Sequence, residues 1–158
     1  MRVGQGYDIH RLVIGRPLVL AGVTLPSDVG LEGHSDADVV CHALTDALLG
    51  AAGFGDIGSL FPDDDPAFKD ASSIALLRRV GEMIAERGFK LVNADITVVL
   101  EVPRLKPYRD QMLAGIADAL AVDVARLSIK AKTNERLGPI GAGEAIMALA
   151  VALLDDTG

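Results

Sequence analysis

Tryptophan is absent from this chain, cysteine occurs once, and histidine only three times in 158 residues. With no tryptophan and half of its residues hydrophobic, the chain must build an aliphatic core. A single cysteine excludes an internal disulfide framework and fits a reducing compartment. Basic charge is also scarce: 15 Lys and Arg stand against 22 Asp and Glu, for a net charge of −7. That balance, with a pI near 4.8, argues against the basic face of a nucleic-acid binder. No long hydrophobic run occurs either. The most apolar stretch, residues 145–154, falls well short of the ~20 residues needed to cross a bilayer. The N-terminus, Met-Arg-Val-Gly-Gln-Gly, carries no apolar signal segment. The expectation is a soluble, cytoplasmic protein forming one domain over residues 1–158, large enough to bury a core.

Periodicity and breakers give a coarse order of elements. Residues 2–10 read as a strand leading to a glycine-spaced turn, and two apolar runs in 17–25, split at Ala21-Gly22, read as a hairpin. Apolar spacing predicts a helix from 37 to about 53, with Ser35 or Asp36 as N-cap and Gly53 as its stop. Residues 55–73 read as a long polar loop in which two prolines exclude a helix, and loops of that length are often functional. A helix over 72–87 closed by Gly88, a strand over 89–102, a helix opened by Pro107 and running to about 121, and a strand over 127–132 follow. Periodicity alone leaves 145–154 open between helix and strand. There is no linker, internal repeat or low-complexity tract.

The scarce histidines are concentrated. In Gly-Tyr-Asp8-Ile-His10, an extended backbone points Asp8 and His10 to one face. His42, on the predicted helix, can supply a third ligand. One carboxylate and two imidazoles suit Zn²⁺, and three protein ligands leave the fourth position that a catalytic site needs. Asp38, His42 and Asp46 are spaced by four, so either carboxylate could accept the other ring N–H of His42. Cys41 points about 100° away around the helix and reads as a small packed hydrophobe.

Other segments are more ambiguous from spacing alone. His34-Ser35 could contact an anion or simply form an N-cap loop. Gly55-Asp56-Ile57-Gly58 could be a site or a turn, and Asp63-Asp64-Asp65 could bind a cation or sugar hydroxyl or be solvated loop charge. Lys130-Ala131-Lys132-Thr133-Asn134-Glu135 runs from a strand into a glycine-rich loop. Its lysine, hydroxyl and carboxylate could cradle phosphates and hold Mg²⁺, although the spacing is not that of a P-loop. Pro103-Arg104-Leu105-Lys106-Pro107 adds a second basic corner, so the positive charge looks placed rather than diffuse.

Taken together, these motifs resemble the 2-C-methyl-D-erythritol 2,4-cyclodiphosphate synthase family, nearly end to end. The resemblance is carried by Gly6-Tyr7-Asp8-Ile9-His10, His34-Ser35-Asp36-Ala37-Asp38, the run from His42 to Gly50, Gly55-Asp56-Ile57-Gly58, Leu60-Phe61-Pro62-Asp63 and Lys132-Thr133-Asn134-Glu135. It implies an α/β (α+β) domain with a mixed sheet, helices on one face, and the sheet facing the axis of a homotrimer. On that basis residues 145–154 become a strand.

The resemblance also implies a reaction: cyclisation of 4-diphosphocytidyl-2-C-methyl-D-erythritol 2-phosphate with release of CMP, in active sites between adjacent subunits. By position, Asp8, His10 and His42 would bind Zn²⁺, one ion per site, and Glu135 would meet Mg²⁺ or Mn²⁺ at the substrate diphosphate. His34 and Thr133 would stabilise the transition state. His34-Ser35 and Asp56-Ile57-Gly58 would contact the methylerythritol phosphate or ribose side, and Phe61-Pro62-Asp63-Asp64-Asp65 would form a substrate loop. Leu100-Glu101-Val102-Pro103-Arg104-Leu105-Lys106 and Ala131-Lys132-Thr133 would surround the cytidine, with Asn134 alongside.

The residues agree with such chemistry. They offer metal ligands and hydroxyl donors but no paired nucleophile and base. A substrate phosphate, largely ionised at pH 7, would need none. Two alternatives use the same ligands: a zinc-dependent phosphohydrolase and a non-catalytic metal- or nucleotide-binding protein.

Overall fold

The computed structural model describes residues 1–62 and 71–156. Its centre is a five-stranded mixed sheet in the order β4-β1-β7-β5-β6. The strands are β1 (Arg2–Ile14), β4 (Val29–Leu31), β5 (Phe89–Val99), β6 (Leu127–Lys132) and β7 (Ala145–Asp156). Only β5 and β6 run parallel. A separate hairpin joins β2 (Leu18–Leu20) to β3 (Val23–Leu25). Its two turn residues, Ala21 and Gly22, both have positive φ, which matches the twist of a two-residue hairpin.

β7, ambiguous by periodicity, is the central strand between β1 and β5. Buried on both sides by neighbours, it has little need of polar alternation. Its even-numbered residues Ala148, Ala150 and Ala152 are buried, while Val151 on the opposite face is 47% exposed.

Those alanines lie opposite Asp8, Gly6 and Gly4 on β1, making a strip of small side chains. Helix α1 (Val39–Ala52) lies on that strip at backbone distance. A Cβ at Gly6 would sit 1.8 Å from the Ala43 carbonyl oxygen, and one at Gly4 would sit 1.9 Å from that of Ala47. The close approach buries nearly all of α1 and brings His42 over the end of the strip, beside Asp8.

Asp38 caps α1, its Oδ1 accepting from the Val40 and Cys41 N–H groups at 3.0 and 3.1 Å. Its Oδ2 accepts from the Gly22 N–H at 2.7 Å, which ties the hairpin turn to the helix start. Gly53, with φ 76°, ends the helix as its sequence position predicts. The cap is therefore two or three residues later than expected from Asp36 or Ser35.

Helix α3 (Ser73–Glu86) is amphipathic, burying Ser73, Leu77, Val80 and Ile84. Together with α4 (Arg109–Leu120) it completes the cover on the same sheet face as α1. The loop expected over residues 55–73 contains a short helix, α2 (Ile57–Leu60), capped by Asp56. The prolines do not forbid it because Ile57–Leu60 lies entirely before Pro62. A one-turn helix, α5 (Gly138–Gly141), packs Ile140 with Val99, Ala145 and Met147 in a small cluster of its own. Elsewhere on that second face Val3, Tyr7 and Ile9 of β1 are exposed, by 69%, 51% and 42%.

Candidate metal centre and phosphate corner

Asp8 and His10 share the strand face of Gly4 and Gly6, so β1 aims both toward α1. Asp8 Oδ2 lies 3.1 Å from His10 Nε2 and 2.9 Å from His42 Nδ1. One ligand atom from each residue falls within 4.8 Å of the others. Among the described residues no other group of three His, Cys, Asp or Glu gathers in this way. Burial raises the pKa of Asp8, but hydrogen bonds from His10 and His42, and their charges, outweigh it and bring the value to about 2.

The outer ring nitrogens are engaged as well. His10 Nδ1 is 2.6 Å from the Glu32 carbonyl oxygen, which can only accept, so that nitrogen carries the proton and Nε2 faces the cluster. His42 Nε2 is 2.8 Å from Ser73 Oγ. Two imidazoles and one ionised carboxylate converging on a half-buried point fit a divalent transition-metal ion.

The expectation that Asp38 or Asp46 would hold the outer nitrogen of His42 is corrected. Asp38 precedes the first helical turn, so its carboxylate folds back onto the helix N–H groups rather than running along the face. Asp46 Oδ1 accepts from the Ile57 N–H at 2.8 Å and so sets Asp56-Ile57-Gly58 beside the cluster. Burial raises the Asp46 pKa, partly offset by that N–H. Cys41 is buried, and its thiol is pushed well above the usual range by burial and by Asp38, so it packs as a neutral side chain.

A depression over the cluster is lined by Asp8, His10, His34, Ser35, His42, Asp46, Ile57, Gly58 and Phe61. Five sequence-selected segments thus meet at one place. Ser35 serves the turn, its Oγ accepting from the Ala37 N–H, and also lies 3.3 Å from His42 Nε2. Arg16, which the sequence did not single out, holds this turn by donating to the Gly33 and Ser35 carbonyls at 2.9 and 2.6 Å. His34 Nε2 is buried with no hydrogen-bond partner among the described residues. Pro62 is half-buried next to Phe61, whereas Asp63, Asp64 and Asp65 lie outside the described residues.

The second predicted cluster also assembles. Leu100, Glu101, Pro103, Arg104, Leu105 and Lys106 line a shallow hollow with Ala131, Lys132 and Thr133. Val102 is 66% exposed beside it. Thr133 Oγ1 donates to Glu135 Oε1 at 2.6 Å. Glu101 Oε1 accepts from the Asn134 and Arg136 N–H groups at 3.0 and 3.3 Å, holding a turn in which Glu135 and Arg136 both have positive φ.

The two clusters share one end of the sheet but not one pocket. Ile9 pairs with Met147, Met147 with Val99, and Val99 with Lys132. Three strand spacings separate these corners, about 14 Å at ~4.8 Å per strand. A larger hollow of about 690 Å³ lies elsewhere, between Leu48, Ile84, Phe89, Leu91 and Leu120. Size favours it, but its lining carries no converging ligands, so the chemistry lies with the smaller depressions.

The YgbB family model matches residues 1–155. A relative from Desulfatibacillum aliphaticivorans, named 2-C-methyl-D-erythritol 2,4-cyclodiphosphate synthase, is 56% identical over 155 residues, covering 98% of this chain and 100% of that protein. The fold is similar to a solved 2C-methyl-D-erythritol-2,4-cyclodiphosphate synthase in a CDP-bound form, with a TM-score of 0.89, 43% identity, and 98% and 100% of the two chains covered. It is also similar to the bifunctional IspDF from Campylobacter jejuni, with a TM-score of 0.93 and 46% identity over 97% of this chain but 42% of that longer one. With a converging ligand set, a matching fold and near-complete sequence coverage, this chain belongs to the YgbB family.

Proposed function

We propose that this protein is a 2-C-methyl-D-erythritol 2,4-cyclodiphosphate synthase, a phosphorus–oxygen lyase acting on 4-diphosphocytidyl-2-C-methyl-D-erythritol 2-phosphate. An oxygen of the 2-phosphate forms a bond to the β-phosphorus. The bond from that phosphorus to the oxygen bridging to the α-phosphate breaks, and its electron pair leaves on CMP. The observation that carries this reading is the Asp8, His10 and His42 cluster in a chain alignable end to end with synthases of that name.

The residues divide the work. Asp8, His10 and His42 would hold Zn²⁺, and Glu135 would hold Mg²⁺ or Mn²⁺ at the diphosphate. These ions, when bound, withdraw negative charge from the phosphoryl group under attack. His34 and Thr133 are assigned to the charge that develops there. Asp56-Ile57-Gly58, Ser35 and Phe61 orient the sugar end, and residues 100–106 with Ala131 and Lys132 receive the cytidine. Because nucleophile and electrophile belong to one molecule, holding it folded can lower the barrier by ~7–11 kcal/mol. No protein base is needed.

The active form is proposed to be a homotrimer whose sites lie between adjacent subunits. Two observations support this: the ~14 Å between the clusters of one chain, and the exposure of Val3, Tyr7, Ile9 and Val151 on the sheet face that α1 leaves uncovered. Among the described residues no helix is long and apolar enough to cross a membrane, and a cytoplasmic, metabolite-binding enzyme is the matching assignment.

The test is phosphorus NMR of purified protein incubated with the cytidine substrate and both metals. CMP and a cyclic diphosphate in equal amounts are expected. Free phosphate or a diol would instead indicate a zinc phosphohydrolase, and metal binding without turnover a non-catalytic protein. Light scattering at micromolar concentration tests the assembly, and a monomer would contradict the shared-site arrangement.

A further inference from the structure

We propose that Ser73, held by Asp36, is a positioning residue that fixes which nitrogen of His42 faces the metal. The inference rests on reading Asp8, His10 and His42 as a metal site, but not on the reaction catalysed there.

Ser73 is the first residue of α3 and is only 1% exposed. Asp36 grips it twice. Its Oδ2 accepts from the Ser73 N–H at 3.0 Å, and its Oδ1 accepts from the Ser73 hydroxyl in a short hydrogen bond. An ionised carboxylate can only accept, so the hydroxyl proton is committed to Asp36. Ser73 Oγ then presents only lone pairs to His42 Nε2, 2.8 Å away. That nitrogen must carry a proton, and the lone pair of the neutral imidazole falls on Nδ1.

Nδ1 faces Asp8 Oδ2 at 2.9 Å, acceptor against acceptor. Such a contact is stable only with a cation between the two atoms, either a proton or a metal ion. Ser35 Oγ is a weaker competitor for Nε2, being farther away at 3.3 Å, and its own hydroxyl proton has the Ser73 Oγ lone pairs within reach at 3.5 Å. The chain from Asp36 through Ser73 to His42 therefore sets the tautomer and fixes the ring with Nδ1 toward the cluster. Without the serine hydroxyl, either tautomer becomes accessible and the ring loses its fixed orientation.

Zinc affinity of the purified protein, measured by competition with a chelator and without substrate, tests this. Ser73→Ala should weaken zinc binding roughly 10- to 100-fold, the usual effect of losing such an orienting bond. It should also shift the visible absorption of the cobalt-substituted protein. Ser73→Thr, which keeps the hydroxyl, should restore both readouts to near the original values. Urea unfolding of the chelator-stripped proteins should be similar for the variants, separating ring orientation from helix stability. Unchanged zinc affinity in Ser73→Ala would overturn the proposal. Equal weakening in Ser73→Ala and Ser73→Thr would overturn it too, by assigning the effect to packing. A wild-type protein that binds no zinc would overturn the metal reading beneath it, a different result from a metal-loaded protein that fails to cyclise its substrate.

Discussion

The metal cluster and the corner around Lys132 to Glu135 are built by opposite means. At the cluster, Asp8 and His10 stand on a long central strand and His42 on a helix fully packed against it. Both outer ring nitrogens are engaged by protein atoms. At the corner, Thr133 and Glu135 are exposed on a turn closed by the Leu137 N–H donating to the Asn134 carbonyl at 2.9 Å. Its two central residues, Glu135 and Arg136, have φ of 50° and 61°, a geometry usually given to Gly or Asn. Non-glycine residues in such conformations cost about 1–3 kcal/mol each and persist where their surroundings hold them. Here Glu101 and the Asn134 side chain do so. One half of the proposed site is pre-formed by the core. The other is held locally, under strain, where substrate and a neighbouring subunit are proposed to complete it.

The contrast can be broken most directly at the cluster. His42→Ala should abolish tight zinc binding and nearly all turnover while the protein still folds, because one of three ligands is lost. Stoichiometric zinc retained after dialysis would refute the assignment. Gly6→Ala tests whether the core builds the site. A Cβ there would meet the Ala43 carbonyl oxygen at 1.8 Å. The unfolding free energy should fall by at least the ~3 kcal/mol at the top of the usual overpacking range. Zinc affinity should fall with it as α1 and His42 shift, whereas intact zinc binding in a destabilised protein would uncouple the two.

The corner should respond differently. Glu135→Gln should raise the Mg²⁺ concentration needed for half-maximal turnover roughly tenfold, through loss of a charged oxygen ligand. Zinc content should stay at one ion per chain, and joint loss of both metals would mean the two regions are not separable. The smallest effect is expected for Arg136→Asn. Asn tolerates the left-handed conformation better than Arg, so stability should rise by up to about 1 kcal/mol with zinc affinity unchanged. A lower melting temperature would show that Arg136 makes a contribution beyond its strained backbone.

Some of this was readable from local pattern. Asp8-x-His10 on a strand, His42 on a helix, Gly53 as helix stop and Ala21-Gly22 as hairpin turn depend on neighbours within a few residues, and each lies where the pattern predicts. What escaped was partnership over distance. Ser73 meets His42 across 31 positions, Arg16 reaches the turn at Gly33 and Ser35, and Glu101 meets Asn134 across 33. Nothing in a serine at a helix start or an arginine in a loop marks these contacts. The Asp38 and Asp46 expectation failed for a related reason. A four-residue spacing states which side chains share a helix face, but not whether a cap or a loop N–H has a stronger claim on them.

The sequence by itself determined the ligand types, their placement on a strand and a helix, and the small-residue strip of Gly4, Gly6 and the β7 alanines that allows those elements to touch. Periodicity and side-chain size are properties of the chain alone, and they suffice for that. Only the tertiary structure decided that residues 145–154, open by periodicity and a strand by family resemblance, lie at the centre of the sheet, that Ser73 rather than a neighbouring carboxylate meets His42, and that the two clusters sit at one sheet end three strands apart. Those outcomes depend on which surfaces compete for burial and which acceptors reach a given proton, and that competition is resolved only when distant segments are packed together.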